Sequence, residues 1–449
     1  MDGISLTQEY IEIVKKNPKK YYKDYKIAKE KVAKSNAKYK GKPIPFLYQP
    51  MFFTQEDIEN LKKVGSTLFS IANKVTKKYI ESPEYRKKFK YPKLLEELIL
   101  IDPGYDLNIP IGRYDLFYGG GDKFKFIEVN TDGTSGMNED NIFSRILLES
   151  ESMKIMREKY EIDYFELIDK WVEESIKIYN KYDKKVENPN IAIVDFMETG
   201  ITAEFEEIKK AYIKKGYRAE IVEARDLKYQ NGKLYYNDMQ IDMIYRRIVT
   251  AEFIEKSQEI PDLIAAYKEG AVCMIGSLRS QIMHNKIIFK ILHDEDTLEF
   301  LNEEERELIK NHVPITKEFQ GDKKIFDEVL HHKDKYILKP IDSFASQGVN
   351  TGRDFDQEGW KKIVRNCWKK GFLYQEFIDP YTRPFVQFEE NGELKAKDFK
   401  LNIGVTMYNE KFAGLYTRIS RKNIIFGRKG YFSIPNMLVQ KKSRRLSIR

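Results

Sequence analysis

Four polar residues that flank a glycine-rich turn could together hold a metal ion and an anion. Arg113 and Asp115 precede the turn at residues 119–122, and Glu128 and Asn130 follow it, each pair at a spacing of two. Both flanks are rich in aromatic and β-branched residues, so a β-hairpin is predicted in which each pair projects from one face. Carboxylate and amide oxygens are the ligands that Mg²⁺ prefers, and a guanidinium beside them can clamp a phosphate or a carboxylate. The pattern predicts a magnesium and anion site on a hairpin.

The register across the turn decides which of these side chains meet. If Tyr118 pairs with Lys123, Arg113 lies opposite Glu128 and the carboxylate of its own strand is diagonal to Glu128. A solvated hairpin face with one cross-strand ion pair is an equally ordinary interpretation of these residues. Residues 131–136, Thr-Asp-Gly-Thr-Ser-Gly, favour the site, because such a polar and flexible run can bring backbone N–H groups close to an anion.

The size and composition of the chain exclude several classes of protein. It has 449 residues, of which 41% are hydrophobic and 13% aromatic, so an ordered protein of more than one domain is predicted. No apolar run approaches the roughly 18 residues of a membrane-spanning helix, and the N-terminus lacks the basic and then apolar pattern of a signal peptide. A cytoplasmic protein without a membrane partner is expected. Cys273 and Cys367 have no partner at disulfide or zinc spacing and are expected to be core thiols.

The charge balance suits anionic small molecules better than nucleic acid. The net charge of +8 is the difference between 78 basic and 70 acidic residues, with lysine dense at 15–42 and 77–93. Because these lysines alternate with Tyr and Ala at helical spacing, solvated amphipathic helices explain them better than an RNA-binding surface. A nucleic-acid partner is therefore not expected, and the pattern predicts no particular oligomeric state.

Helical periodicity dominates the beginning of the chain, and a strand–helix–strand pattern follows. Thr54 is predicted to cap a helix, since acidic residues follow it in the first turn. Residues 142–181 are also predicted to be helical. From residue 191, buried strands alternate with a helix and an Asn-Gly turn, which predicts a small α/β unit with a largely parallel sheet. Arg246 and Arg247 end one of its strands, where they could meet an anionic substrate or, equally, bond a neighbouring carboxylate at the surface.

A second candidate site lies in the last third of the chain. Lys339 ends the predicted strand 336–340 and precedes a loop rich in serine and glycine. A lysine beside such a loop can bind phosphates, because the lysine supplies a point charge and the loop supplies hydroxyl and N–H donors. The strand and hinge that follow at 371–380 could present backbone groups to a base. Neither GxxxxGK[ST] nor GxGxxG occurs, so a P-loop ATPase and a protein kinase are excluded.

Taken together, these segments resemble an ATP-grasp ligase. The resemblance rests on Asn285-Lys286, the strand ending at Lys339, the loop 343–348 and the hinge Gln375-Glu376-Phe377-Ile378. In common ATP-grasp chains the metal ligands follow the hinge, whereas here the Arg-x-Asp and Glu-x-Asn pairs precede it. The order therefore resembles the circularly permuted group, and most closely the synthetase domain of glutathionylspermidine synthase. The loop after Asn130 departs from that relative, so the resemblance does not imply the same substrates.

The resemblance implies a fold, a division of the chain and a set of site residues. It implies a mixed α+β and α/β chain with a permuted ATP-grasp fold, divided into a helical N-terminal region at 1–92, a metal-binding part at 93–187, a pre-ATP-grasp α/β domain at 188–280 and a nucleotide-binding part at 281–449. The implied metal ligands are Asp115, Glu128 and Asn130. The implied catalytic residues are Arg113, Ser135 and Arg418. The implied nucleotide-binding residues are Lys286, Lys339, Ser343, Ser346, Gln347, Gly348, Gln375, Glu376, Phe377, Ile378 and Lys400.

The resemblance also implies a reaction. An ATP-grasp ligase with bound ATP and Mg²⁺ joins a small-molecule or peptide carboxylate to an amine through an acyl phosphate, releasing ADP and phosphate. The alternative is an ATP-binding regulatory module without ligase activity, attached to RNA through the lysine-rich helices. The complete set of metal-binding side chains favours the ligase, since a module that only binds nucleotide does not need it.

Overall fold

The N-terminal region is mainly helical, as its periodicity predicts. The structure is a computed structural model that describes residues 2–343, 346–425 and 430–442. The region contains helices α1 (Gly3–Lys16) and α2 (Pro18–Lys34), strands β1 (Lys38–Tyr39), β2 (Lys42–Pro43) and β3 (Met51–Phe53), and helices α3 (Gln55–Glu81), α4 (Pro83–Arg86) and α5 (Lys93–Leu100).

The cap predicted at Thr54 is confirmed. The Thr54 side chain accepts a hydrogen bond from the backbone N–H of Asp57, and the Asp57 carboxylate accepts one from the backbone N–H of Thr54. This reciprocal capping box satisfies two donors that the first turn of α3 would otherwise leave unpaired.

We expect Thr54→Ala to lower the free energy of unfolding by about 1 kcal/mol, because alanine cannot accept the Asp57 N–H bond. Chemical denaturation measures the change. Thr54→Ser is the control, since it retains the hydroxyl; an equal loss in the serine variant would contradict a capping role.

The predicted hairpin forms, but the helical segment after it is interrupted. The elements here are β4 (Ile111–Gly120), β5 (Lys123–Asn130), α6 (Met137–Leu148), α7 (Glu151–Lys159), β6 (Tyr160–Tyr164) and α8 (Leu167–Tyr179). Strand β6 breaks the predicted helical run 142–181 because it pairs antiparallel with Asn436–Lys441, close to the C-terminus. A local pattern cannot show such a distant strand partner.

The small α/β unit has the parallel sheet that the sequence predicts. It contains β7 (Ile191–Asp195), α9 (Thr202–Lys214), β8 (Ala219–Glu223), β9 (Lys228–Gln230), β10 (Lys233–Tyr236), β11 (Met239–Ile241), β12 (Met243–Arg246), α10 (Thr250–Glu255), α11 (Pro261–Lys268) and β13 (Cys273–Ile275). Strands β13, β12, β7 and β8 lie in that order and are all parallel. Strands β9, β10 and β11 form a separate antiparallel sheet. The carboxyl ends of the parallel strands thus lie at one edge of the sheet.

The last part of the chain supplies a second sheet and most of a large one. Its elements are α12 (Gln281–His284), α13 (Ile288–Ile291), α14 (Glu295–Leu298), α15 (Glu303–His312), β14 (Thr316–Glu318), α16 (Lys323–His331), β15 (Tyr336–Pro340), β16 (Asn350–Thr351), α17 (Gln357–Cys367), β17 (Phe372–Glu376), β18 (Thr382–Phe388), β19 (Leu394–Tyr408), β20 (Lys411–Ser420), β21 (Tyr431–Ile434) and β22 (Asn436–Lys441). Strands β14, β17, β15 and β16 form one sheet, and β21, β20, β19, β4 and β5 form the other, with β18 also paired to β19.

The large sheet contains strands from two distant parts of the chain. Strand β4 pairs antiparallel with β19, so the early hairpin completes a sheet whose other strands lie after residue 380. This is the connection that a circularly permuted order requires.

A continuous apolar core joins these parts. One cluster of buried residues runs from Leu47 to Ile434 and includes Trp171, which packs against Tyr245 of the parallel sheet and Tyr408 of the large sheet. Cys273 and Cys367 are buried, as expected of core thiols. No helix in the described ranges is both long and apolar enough to cross a membrane. The domain boundaries at 92, 187 and 280 stay predictions.

Candidate active site

The hairpin brings its four polar residues together, but in a different register from the one predicted. Arg113 pairs with Asn130 and Asp115 with Glu128 across the strands, so the expected pairing of Arg113 with Glu128 is wrong. Two irregularities shift the register, one between Asp115 and Leu116 and one between Tyr118 and Gly120. The net shift is an even number of residues, so the four side chains keep a common face.

Asp115 is held by two arginines. Its side chain is fully buried; Oδ1 accepts a 2.7 Å bond from Arg113 Nε, and Oδ2 accepts a 2.5 Å bond from an Nη of Arg418. Both guanidinium groups also lie over the ring of Tyr416, at 5.1 and 5.5 Å from its centroid. Side chains of the early strand β4 and the late strand β20 therefore form one buried charge cluster.

Glycine at position 404 is needed for this arrangement. Gly404 pairs with Asp115 across β19 and β4, and a Cβ at this position would lie 2.5 Å from Arg113 Cδ. Any larger residue would displace the arginine from Asp115.

The two predicted phosphate lysines also converge on the hairpin. Lys286 Nζ lies 3.1 Å from Glu128 Oε1 and donates a 2.6 Å bond to the carbonyl oxygen of Ser343. Lys339 Nζ donates to Gln375 Oε1 at 2.7 Å and to the carbonyl oxygen of Ile127 at 3.2 Å. Burial acts to raise the pKa of Glu128, but the charges of Lys286, His284 and Lys339 lower that pKa to about 2. Glu128 is therefore a carboxylate at any ordinary pH.

Burial lowers the pKa of Lys339 to about 8, with a further contribution from repulsion by Lys286. If this lysine binds phosphate, nucleotide affinity should fall as the pH rises through about 8, because the ammonium loses its proton. The fall should approach, but not exceed, about tenfold per pH unit.

Calorimetric titration with a non-hydrolysable ATP analogue between pH 7 and pH 9.5 measures this dependence. Lys339→Met should bind weakly at pH 7 and lose the pH dependence, whereas Lys362→Met, at an exposed site, should behave as the unmodified chain does. A pH-independent affinity in the unmodified chain would contradict the assignment.

Seven of the eleven predicted nucleotide-binding residues line one cleft between the two sheets. Its walls include Lys286, Lys339, Ser346, Gln375, Glu376, Phe377, Ile378, Glu128 and Arg418. The cleft floor adds Phe117, Ile127 and Ile337, apolar side chains that could cover a planar base. Segments more than 200 residues apart in sequence therefore form one cavity.

Four of the predicted nucleotide-binding residues do not line the cleft, namely Ser343, Gln347, Gly348 and Lys400. Gln347 and Gly348 are exposed and do not line the cleft. Lys400 bonds Asn423, which lines the cleft in its place. In the loop 343–348, residues 344 and 345 lie outside the described residues. The backbone N–H groups of Glu376 and Phe377 already bond the carbonyls of Ile315 and Lys335, so they are not free to bond a base.

Sequence reasoning missed Asn402 in this cleft. Asn402 lines it, lies opposite Arg418 in the sheet and has a buried Oδ1 with no hydrogen-bond partner among the described residues. Only its strand partner marks it as a site residue, and that partner was not predictable from the sequence.

A second cavity adjoins this cleft. Glu128 and Arg418 line both cavities, and the second one also contains Arg113, Asn130 and Ser135. Its far side is formed by Asp195, Thr199, Arg247 and Glu252 from the parallel unit. A molecule bound there would thus meet the cleft at Glu128 and Arg418.

The parallel unit fixes the loop 131–136 between the two cavities. Arg246 pairs with Asp132 at 2.6 Å, and Arg247 pairs with Glu204 at 3.1 Å and bonds the carbonyl of Thr134. All four charged side chains are almost fully buried. Arg246 and Arg247 are therefore not an exposed pair, and each is paired with a buried carboxylate.

The Glu204 side chain also caps the N-terminus of helix α6. Its Oε2 accepts bonds from the N–H groups of Gly136 and Met137 at 2.9 Å and of Asn138 at 3.3 Å. The loop that carries Ser135 is consequently held at both ends. Ser135 itself lines the second cavity, and its carbonyl accepts a 2.5 Å bond from Arg113.

Acidic groups of the second cavity were also missed. Burial raises the pKa of Asp195 to about 7, although Arg247 acts to lower that pKa. Burial and the nearby Glu204 likewise raise the pKa of Glu139, whose carboxylate accepts a bond from the hydroxyl of Tyr416. Asp195 was detectable, because it ends a buried parallel strand where ligands gather. Glu139 and His284, another lining residue, carry no comparable signal.

The hairpin residues fit a magnesium ion in their chemistry. The amide of Asn130 lies 3.5 Å from Glu128 Oε2, and both side chains face the cavities. Both Asp115 oxygens, in contrast, are bonded to arginines, so an arginine would have to move before Asp115 could ligate a cation. In the described ranges no three His, Cys, Asp or Glu side chains cluster as metal ligands do. Glu128 and Asn130 are thus the accessible members of the predicted ligand set.

Comparison with solved structures identifies similar folds. The structure of a glutathione synthetase-like effector from Globodera pallida in its apo form is similar over 93% of this chain and 97% of its own, with a TM-score of 0.60 and 12% identity. D-alanyl-alanine synthetase A from Vibrio cholerae matches 48% of this chain and 68% of its own at 14% identity and a TM-score of 0.31. D-cycloserine synthetase DcsG matches 57% and 75%, at 12% identity and a TM-score of 0.29. The last two likenesses do not extend to the whole fold.

The family assignment comes from the sequence profile. No protein of curated function matches the sequence significantly. The profile of the family described as glutathionylspermidine synthase preATP-grasp matches residues 44–428. The fold is the ATP-grasp fold in permuted order with a preATP-grasp α/β unit, as the resemblance implied. The chain belongs to the glutathionylspermidine synthase preATP-grasp family.

Proposed function

We propose that the chain is an ATP-dependent carboxylate–amine ligase that forms an amide bond through an acyl phosphate. The observation that carries the proposal is the junction of two cavities at Glu128 and Arg418. A nucleotide in the first cavity would place its terminal phosphate at the mouth of the second, where the other substrates have room to bind. A module that only binds nucleotide has no use for the second cavity.

The cleft supplies the charges that a triphosphate requires. Lys286, Lys339 and Arg418 line it together and would bind the phosphate oxygens. In the free protein these cations are held by Glu128, Gln375 and Asp115, respectively. Mg²⁺ bound through Glu128 and Asn130 would neutralise charge on the terminal phosphates.

In the proposed reaction a substrate carboxylate attacks the γ-phosphorus, and ADP leaves. The amine then attacks the acyl carbon, inorganic phosphate leaves, and the ammonium loses a proton to give the amide. Arg113 and Arg418 flank the junction, where they would orient the carboxylate and stabilise the transferred phosphoryl group. No covalent bond to the protein is needed.

The acidic side of the second cavity suits the amine. Asp195 and Glu139 make no ion pair in the described part of the chain, so a protonated amine would supply the missing positive charge. The raised pKa of Asp195, about 7, would also let its carboxylate accept a proton from a bound ammonium near neutral pH.

Incubation of the purified chain with ATP, Mg²⁺ and a library of carboxylates and amines tests the proposal. ADP should be released only when a carboxylate and an amine are both present, and mass spectrometry should detect the amide. Release of AMP, or ATP binding without turnover for every pair, would overturn it.

A further inference from the structure

A short turn contacts both walls of the proposed nucleotide cleft without lining it. The turn Gly352–Asp354 follows strand β16 and forms a short 3₁₀ helix. The guanidinium of Arg353 lies 4.2 Å from the centroid of the Phe377 ring, and Asp354 Oδ1 accepts a 2.6 Å bond from Asn423 Nδ2. Phe377 and Asn423 line the cleft, whereas Arg353 and Asp354 do not. The turn can therefore act on a bound nucleotide only through the side chains that it holds.

The two walls that the turn contacts belong to different sheets. Phe377 follows β17 of the four-stranded sheet, and Asn423 follows β20 of the large sheet. Because Arg353 and Asp354 are adjacent in sequence, the two side chains that they hold lie at the same end of the cleft. The turn thus connects the two sheets at one end of the cavity.

This end of the cleft is the one away from Lys339, which is proposed to bind phosphate. Lys339 lies opposite Leu373 across β15 and β17, four residues before Phe377. At the usual rise of a strand, four residues separate the two positions by about 13 Å. Phe377 and Asn423 therefore lie where the base of a nucleotide would be when its phosphates are bound by Lys339.

Backbone contacts with residues 333–335 fix the turn in place. A Cβ at Gly352 would lie only 2.0 Å from the first of their three carbonyl oxygens, so no larger residue fits there. The second carbonyl oxygen accepts a 2.9 Å bond from Arg353 Nε, and the third accepts a 2.7 Å bond from the backbone N–H of Phe377. The same three residues thus hold both the turn and the segment that carries the Phe377 ring.

Two charged side chains complete the arrangement. Arg353 donates a hydrogen bond to the carboxylate of Asp379, which keeps its guanidinium over the Phe377 ring. Asn423 Oδ1 accepts a bond from Lys400, so the Asn423 amide is bonded at its oxygen and at its nitrogen. Both cleft side chains are consequently oriented before a nucleotide binds, which lowers the cost of binding.

We propose that the turn Gly352–Asp354 positions the base of the bound nucleotide: Arg353 supports the Phe377 ring from behind while the ring packs on the base, and Asp354 fixes Asn423 on the other wall. Arg353 and Asp354 are positioning residues, because they act through Phe377 and Asn423. The inference rests on the proposed function, since it takes the occupant of the cleft to be a nucleotide.

Calorimetry with the full chain, Mg²⁺ and two probes tests the proposal. A non-hydrolysable ATP analogue contains a base, whereas inorganic tripolyphosphate contains only the phosphates. We expect Arg353→Leu to weaken binding of the ATP analogue at least about fivefold, because the cation behind the Phe377 ring is lost. Asp354→Ala should weaken it at least about threefold, because the Asn423 amide loses a charged acceptor. Tripolyphosphate affinity should change less than about twofold in both variants, since the cations that bind phosphate are unchanged.

Three further variants serve as controls. Arg365→Leu and Asp183→Ala make the same changes at exposed positions elsewhere, and both should bind the two probes as the unmodified chain does. Arg353→Lys keeps a cation for the Phe377 ring and should retain more affinity for the ATP analogue than Arg353→Leu does. The proposal is wrong if Arg353→Leu weakens tripolyphosphate binding as much as ATP-analogue binding, if it leaves both affinities unchanged, or if Arg365→Leu has the same effect.

Steady-state kinetics separate this inference from the proposed function. Arg353→Leu should raise the KM for ATP and leave kcat unchanged within about twofold, because the base lies away from the reacting phosphate. A chain that shows the expected difference between the two probes but forms no amide would overturn the proposed function and leave this inference intact. Amide formation with an unchanged KM for ATP in the Arg353→Leu chain would overturn the inference and leave the function intact.

Discussion

Replacement of Glu128 by glutamine is expected to lower the rate of ADP release in the ligase reaction by about 10²–10³-fold, which is the usual cost of removing one charge that stabilises a transition state. Glutamine keeps the shape of the side chain, but it removes the negative charge and with it the ion pair with Lys286. Without that charge a metal ion beside the terminal phosphates would be held poorly.

The same Glu128→Gln change should affect nucleotide affinity differently from the rate of ADP release. In the free chain Glu128 engages Lys286, so its neutralisation releases a lysine for the phosphates. Without Mg²⁺, Glu128→Gln should bind an ATP analogue at least as tightly as the unmodified chain does. The control is Glu84→Gln, which breaks an exposed Lys–Glu pair with Lys87 and should leave both quantities unchanged.

The rate of ADP release and the nucleotide affinity of Glu128→Gln, measured together, distinguish a ligase from a module that only binds nucleotide. A rate of ADP release reduced less than about tenfold, or a loss of metal-free affinity that parallels the loss of rate, would be inconsistent with Glu128 as a metal ligand.

The sequence predicted the active-site face of the hairpin correctly, but not its register. Spacing of two fixes which side chains share a strand face, whatever the pairing. The irregularities at Asp115/Leu116 and Tyr118/Gly120 then set which residues are opposite each other. Such bulges depend on the neighbouring strand β19 and on Lys339, which bonds the carbonyl of Ile127, and none of these is local in sequence.

Residues that carry a local motif were found, and those that depend on distant partners were not. Lys286, Lys339 and Gln375 were recognised from short segments and do meet in one cleft. Asn402 and Glu139 reach the cavities only through strand pairing and helix packing, and no local pattern marks them. Arg246 and Arg247 were predicted either to meet a substrate or to bond a carboxylate at the surface. Their burial with Asp132 and Glu204 was not foreseeable, because the acidic partners lie 114 and 43 residues away.

The buried pair of Arg247 and Glu204 provides the second large effect. Both side chains are only 2% exposed, and together they hold the Thr134 carbonyl and three N–H groups at the start of α6. We expect Arg247→Met to lower the free energy of unfolding by about 3–5 kcal/mol, because it leaves the Glu204 carboxylate buried without a counter-charge. Chemical denaturation of the full chain measures the loss.

The double variant separates charge from packing. In Arg247→Met with Glu204→Gln, no unpaired charge is buried and the glutamine oxygen can still accept the N–H bonds of α6, so at least about 1 kcal/mol of the loss should be recovered. Lys62→Met, which breaks an exposed pair with Glu59, should cost less than about 1 kcal/mol. If the loss in the double variant equals the sum of the losses measured for Arg247→Met and for Glu204→Gln alone, the two side chains are not coupled. Coupling would instead mean that the parallel sheet holds the loop carrying Ser135 through one buried charge pair, because Arg247 and Glu204 both belong to that unit and the Thr134 carbonyl belongs to the loop.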